Sequence, residues 1–336
     1  MSLPLDGLPL KGEGMATGSL TAAHRKHILD LDDFSRAEIE LVLATAQAMK
    51  EILGRPIKKV PTLRGKTVVN AFYENSTRTR ISFELAAKNL GADVVNFSAS
   101  SSSVSKGESL IDTIKTLEAL GADIIVMRHS ESGAPYLAAQ HFSGSILNGG
   151  DGTHAHPTQA LLDAFTMQER LGSLVGRKVV ILGDILHSRV ARSNVWGLTC
   201  LGAEVVLCGP PTLLPYPQGE MLWGANPKHT VAVQVEYNIE RALRGADAVM
   251  ALRMQKERQQ SGLLPSLREY ITYYGLTRER MALAAPHALV MHPGPMNEGV
   301  EIMSDVATSA QSVIEAQVTN GVAVRMALLY LLAAGK

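Results

Sequence analysis

The chain has 336 residues, in which 32 lysines and arginines balance 32 aspartates and glutamates. A chain this long exceeds the roughly 250–300 residues at which a single core stops growing, so two domains are expected. The neutral balance leaves no general footprint for nucleic acid or an anionic membrane, and any basic site must be local.

In chain order, MSLPLDGLPLKGEGMATGSL has neither a long apolar run nor a cluster of positive charge, so it does not read as a signal peptide. Residues 1–20 are expected to be a flexible lead-in, with Met15 a candidate start. The strand KTVVNAF (66–72) follows, then a four-times-repeated pattern: LGADVV, LGADII, LGAEVV and RGADAV. Each has a glycine suited to a helix C-terminus, then an acid, then a β-branched run, which is a helix handing over to a strand. With the strands KVVILGD and ALVMHP, the alternation predicts an α/β fold, two doubly wound parallel-sheet domains joined by helices. HPTQALLDAFTMQERLG carries helical spacing and predicts a helix at the junction. The last segment is helical in period apart from an interruption at Asn320-Gly321, and is expected to return to the first domain. Its most apolar stretch, VAVRMALLYLLAAG, is shorter than the ~18 residues a span needs and carries Arg325. Cys200 and Cys208 match no metal or redox spacing. A reducing compartment, the cytoplasm, is therefore expected, with no disulfide and no membrane or nucleic-acid partner.

The chemistry gathers at strand ends, where open α/β sheets bind ligands. FYENSTRTRISF leads from the first strand into a helix whose positive end suits an anion, with Ser76 or Thr77 expected as cap. Arg78 adds a fork for phosphate or carboxylate oxygens, and Ser76, Thr77 and Thr79 add hydroxyls. Arg80 is expected to pair with an acid such as Glu84. The loop FSASSSSVSKGES carries one cation, Lys106, and reads as a lid suited to phosphate capture. DIIVMRHS places Arg128 and His129 at the same edge, and HAHPTQ opens the junction helix with His156, Pro157 and Gln159. Further on, ILHSRVARSN supplies Arg189 and Arg192, LRMQ supplies Arg253 and Gln255, and HPGP fixes a turn with Pro293 and Gly294. These cations call for a second anion, and a carboxylate fits paired arginines. No histidine spacing suits a metal, so neither metal nor cofactor is expected.

STRTR with SFE, SVSKGES, VMRH, HPTQALLD, LRMQKER and HPGP, in that order, closely resemble the aspartate/ornithine carbamoyltransferase family, on its aspartate branch. The ornithine branch carries an SMG-type motif and a cysteine in an HCLP loop, where this chain has HPGP. The resemblance implies carbamoyl phosphate and L-aspartate as substrates and Thr79, Arg128 and His156 as the catalytic donors. Ser76, Thr77, Arg78, Thr79, Ser102, Lys106, Arg128, His156 and Gln159 would bind carbamoyl phosphate. Lys106, Arg189, Arg253, Gln255, Pro293 and Gly294 would bind aspartate. Ser102 and Lys106 match residues that this family contributes from a neighbouring subunit, which implies a homotrimer with shared active sites. A dihydroorotase or a regulatory chain is a further partner the resemblance allows. The domains it implies are 21–155 plus 306–336 for carbamoyl phosphate and 156–305 for aspartate. Glu298 departs from an arginine common at its place, a reversed charge expected to alter substrate affinity on the aspartate side or a contact with a partner, and so efficiency more than reaction type.

Two other readings compete. VVILGD with LGAEVVLCG imitates a dinucleotide-binding unit, with Glu204 at the right offset, but ILGDILHS has one glycine where GxGxxG needs three. A catalytically silent scaffold of the same fold would be expected to have lost Lys106, Arg128 or His156, and all are present.

Overall fold

Glycines 91, 121, 202 and 245 end their helices in left-handed conformations, with φ of 81°, 89°, 86° and 68°, and a strand begins shortly after each. The acid that follows two of them ties neighbouring strands together. Asp123 accepts from the Thr67 amide (2.9 Å) and from Lys66 (2.9 Å); Asp247 accepts from the Lys178 amide (2.9 Å) and from Arg177 (2.9 Å). The same device thus opens the central strand of each sheet.

The computed structural model describes residues 25–98, 107–215, 233–254, 263 and 266–334. The expected lead-in over 1–20 lies outside them. The first half holds α1 (Arg36–Leu53), β1 (Thr67–Phe72), α2 (Thr77–Asn89), β2 (Asp93–Ser98), α3 (Leu110–Ala119), β3 (Ile124–His129), α4 (Ala134–Gln140), β4 (Ser145–Asp151) and α5 (Pro157–Leu171). The second holds β5 (Lys178–Leu182), α6 (Arg189–Cys200), β6 (Glu204–Cys208), β7 (Val233–Glu236), α7 (Ile239–Leu243), β8 (Ala248–Ala251), α8 (Leu267–Tyr274), α9 (Arg278–Met281), β9 (Leu289–Met291), α10 (Ser304–Ala307) and α11 (Ile314–Ala334). Strands pair in the orders β2-β1-β3-β4 and β7-β6-β5-β8-β9, every pair parallel. This is the α/β architecture expected from the sequence.

Each sheet reverses its winding beside its central strand, between β1 and β3 and between β5 and β8. Ligands favour such switch points. Phe72 pairs with Arg128 in register, which sets Arg128 beside the start of the STRTR segment. Leu182 pairs with Ala251, which sets the Arg189 and Arg253 segments side by side.

Side chains of the central strands alternate between cores. Val68 and Phe72 face a large core that also takes in α1, α5, α6 and α11, while Val69 and Ala71 face the opposite side of their sheet. The helix α11 packs against α1, α2 and α5. It is the one helix among the described residues long and apolar enough to cross a membrane, and most of it is buried inside the protein.

Asn320-Gly321 does not interrupt α11, contrary to the sequence expectation. The pair is a packing feature. Buried Asn320 donates to Thr166 (3.0 Å) and Glu169 (2.6 Å) of α5. A Cβ at Gly321 would lie 3.2 Å from Leu162 and 2.7 Å from the Arg325 guanidinium. Gly321→Ala is therefore expected to cost about 1–3 kcal/mol through overpacking, read as a lower urea midpoint. An unchanged midpoint would mean that α5 and α11 are free to separate.

Candidate active site

A cleft of about 620 Å³ lies at the carboxyl ends of both sheets' central strands, within the size range of small-molecule sites. Ser76, Thr77, Arg78 and Thr79 line it from the start of α2, Arg128 from the end of β3, and His156 and Gln159 from the start of α5. Arg189, Arg253, Pro293 and Gly294 line it from the second half. Every described residue that the family resemblance marked as a site residue is brought to this one cleft. Ser102, Lys106 and Gln255 lie outside the described residues.

Among the described residues five arginines line the cleft, numbers 78, 128, 189, 253 and 325, against one carboxylate, Glu74. In a chain of zero net charge this is the local basic site that composition required. Burial and the nearby charge of Arg253 both push the Arg78 guanidinium below its usual pKa, so the pair repel until an anion enters. Arg78 reaches across to the opposite wall, since a Cβ at Gly294 would lie 3.2 Å from its Cζ.

Ser76 holds the N-cap position of α2, but its hydroxyl makes no capping bond. The first amides of α2 are left for a ligand, which strengthens the anion reading of STRTR. The expected Arg80–Glu84 pair does not form: Glu84 is bound by Lys88 (2.6 Å) and Asn96 (3.0 Å). Arg80 and Lys88 are each four residues from Glu84, and the order with glutamate N-terminal to the cation, as in Glu84–Lys88, is the favoured one. Arg192 does not line the cleft; its charge faces Asp30 and Asp151. His129 also lies outside it, its ring 4.8 Å from that of Tyr73. Glu298 is exposed and outside the lining.

Sequence reasoning missed three groups, Glu74, His292 and Glu301. Glu74 accepts from Arg189 at 2.7 Å and lies 3.3 Å from Arg128, so one carboxylate joins arginines from the two halves. Arg189 is buried and also donates to the Gly152 carbonyl (3.1 Å). His292 and Glu301, both fully buried, hold the HPGP turn: Gly294 donates its amide to His292 Nδ1 (2.8 Å), and His292 Nε2 lies 3.2 Å from Glu301. Because Nδ1 accepts, Nε2 carries the proton and donates to the carboxylate. Only Glu74 had a local signal, an acid directly ahead of an arginine-rich helix start.

Among the described residues no cluster of histidine, cysteine and carboxylate groups is placed to hold a metal ion. Both cysteines are free.

Comparison with known proteins adds three findings. Residues 26–169 match the family model described as aspartate/ornithine carbamoyltransferase, carbamoyl-P binding domain, and residues 175–332 match the Asp/Orn binding domain of the same family. The chain is 68% identical to the aspartate carbamoyltransferase catalytic subunit of Roseiflexus sp. (strain RS-1), over 91% of this chain and 94% of that one. It is 61% identical to that of Moorella thermoacetica, over 93% and 98%. Among solved structures, aspartate transcarbamoylase of Trypanosoma cruzi in complex with carbamoyl phosphate and aspartate superposes with a TM-score of 0.80 at 31% identity, covering 91% of this chain and 94% of that one. Ornithine carbamoyltransferase from Pyrococcus furiosus gives 0.82 at 28% identity, over 93% and 98%. Fold alone does not separate the two branches; sequence identity does.

Proposed function

The chain belongs to the aspartate/ornithine carbamoyltransferase family, and from that premise we infer that it transfers the carbamoyl group of carbamoyl phosphate to the amino group of L-aspartate. The products are N-carbamoyl-L-aspartate and phosphate, which places the reaction early in pyrimidine synthesis. The observation that carries this reading is a cleft with arginines on both walls and, among the described residues, a single carboxylate, which is paired with Arg189. Aspartate brings two carboxylates to such a cleft, whereas the side chain of ornithine would bring a cation to a lining whose one described carboxylate is already held by Arg189.

Phosphate would sit against the open amides of α2 with Ser76, Thr77, Arg78 and Thr79. Arg128, His156 and Gln159 would take the carbamoyl group, and Arg189, Arg253 and Gln255 the aspartate carboxylates, against the Pro293-Gly294 turn. The aspartate amine attacks the carbamoyl carbon, and negative charge gathers on the carbonyl oxygen. Thr79, Arg128 and His156 are the donors for that charge. The bond to phosphate then breaks, and the amine gives up a proton for which the departing phosphate is a nearby base. The substrate amine is itself the nucleophile, so holding two polyanions together against their repulsion supplies much of the rate.

N-(phosphonacetyl)-L-aspartate, which occupies the T. cruzi relative in one solved structure, joins both anions in one molecule and provides the test. It is expected to bind once per chain and to displace both phosphate and succinate. Displacement of phosphate alone would mean that the second wall does not bind dicarboxylates.

The proposed assembly is a cytoplasmic homotrimer in which Ser102 and Lys106 reach a neighbour's cleft. It is supported by exposed apolar side chains: Ile81 and Leu85, one turn apart on α2, and Val95 on the edge strand β2. The free cysteines suit a reducing compartment. Mixing Lys106→Ala and Arg78→Ala chains should restore about a quarter of the sites by random assortment in a closed ring with shared sites. Sites built within one chain would stay silent at every mixing ratio.

A further inference from the structure

Asp163 is fully buried on α5 and accepts from three side-chain amides on three helices. Gln159 of α5 donates to Oδ1 at 2.9 Å, Gln317 of α11 to Oδ1 at 2.7 Å, and Asn194 of α6 to Oδ2 at 2.9 Å. An ionised carboxylate only accepts, so each amide must turn its nitrogen toward it. That orientation has consequences on both walls of the cleft. With Nε2 engaged, the carbonyl oxygen of Gln159 is the atom left for the cleft that this residue lines. With its own Nε2 engaged, Gln317 presents Oε1, which accepts from the His292 amide at 3.0 Å. His292 in turn holds the amide of Gly294. A continuous path of hydrogen bonds therefore runs from Gln159 through Asp163 and Gln317 to the HPGP turn.

We propose that Asp163 is a positioning residue for the reaction: by fixing which end of the Gln159 and Gln317 amides faces it, it sets the carbonyl oxygen of Gln159 and the Pro293-Gly294 turn on opposite walls in one arrangement. This rests on the carbamoyl-transfer reading above. Burial is what makes the device costly. It pushes the Asp163 carboxyl up to about 6 against the three amide donors and the Arg325 guanidinium, the charged group facing it from α11. Once protonated, Asp163 has a hydrogen to donate, and one amide is free to turn round. An acid whose folded pKa lies above its unfolded value also weakens the fold as pH rises from about 4 past 6, because burial penalises the ionised form.

The test compares Asp163→Asn with the wild-type chain. Asparagine keeps the size and removes the all-acceptor character, so one of the three amides must reverse. At about pH 8 we expect kcat/KM for carbamoyl phosphate to fall on the order of a hundredfold, as for misplacement of a reacting group, with a melting temperature no lower than wild type. The ratio of wild-type to variant kcat/KM, in which substrate ionisations cancel, should shrink as pH falls below about 6, the value to which burial raises Asp163. A folded variant with wild-type kinetics, or a ratio independent of pH, would overturn the proposal. Should Asp163→Asn fail to fold, Gln317→Leu decides it: the KM for aspartate should rise while carbamoyl phosphate binding is kept, and an unchanged KM overturns the proposal. A wild-type chain with no activity would instead overturn the carbamoyl-transfer reading.

Discussion

Arg78→Ala is expected to lower kcat/KM for carbamoyl phosphate by a few hundredfold, roughly 3–4 kcal/mol, the scale of losing a bidentate, charge-assisted bond to phosphate. Arg78 lies at the second position of α2, where a cation opposes the helix dipole. It also faces the charge of Arg253, which with burial depresses its pKa. Removing it should therefore leave thermal stability unchanged or slightly raised. That combination, lost activity with preserved or improved stability, marks a residue kept for its ligand. A parallel fall in melting temperature would mean that Arg78 supports the fold and that phosphate is held elsewhere.

Glu74→Gln is the second large effect, and it should differ in kind. Its carboxylate sits between Arg189 and Arg128 and spans the two halves of the chain. A neutral amide leaves two arginines facing one another, one of them buried. Glu74 itself is partly exposed, at 27% of its side chain, so the cost is set below that of a fully buried pair. About 2 kcal/mol, roughly thirtyfold, is expected, chiefly in the KM for aspartate. Here stability should fall together with activity. If Glu74→Gln bound aspartate as well as wild type, Arg189 would have to be oriented by its other partners, the Gly152 carbonyl among them.

The contrast between these two residues shows what was legible in the sequence. Arg78 announces itself because everything that gives it meaning is adjacent: the strand before it, the hydroxyls beside it and the helix after it. The glycine-acid repeats were legible for the same reason, since a left-handed helix end and the strand after it are local. Glu74 was quoted in the same segment and passed over, because its partner Arg189 lies 115 positions away. Asp163 and Gln317 are separated by 154, and no pattern in either segment refers to the other. Asn320-Gly321 failed in the opposite direction. Its local propensity argues for a break, and tertiary packing against Leu162 and Arg325 overrides it. Strand ends and helix starts could thus be read from the sequence, while the bonds that join the two walls of the cleft required the fold.

The reaction itself is tested most directly by carbamoyl transfer in the purified full-length chain, with L-aspartate and L-ornithine offered in parallel and the carbamoylated product measured by colour. The arginine-lined cleft predicts product with aspartate and background with ornithine. Product with ornithine, or none with either acceptor from a folded chain that binds phosphate, would contradict it.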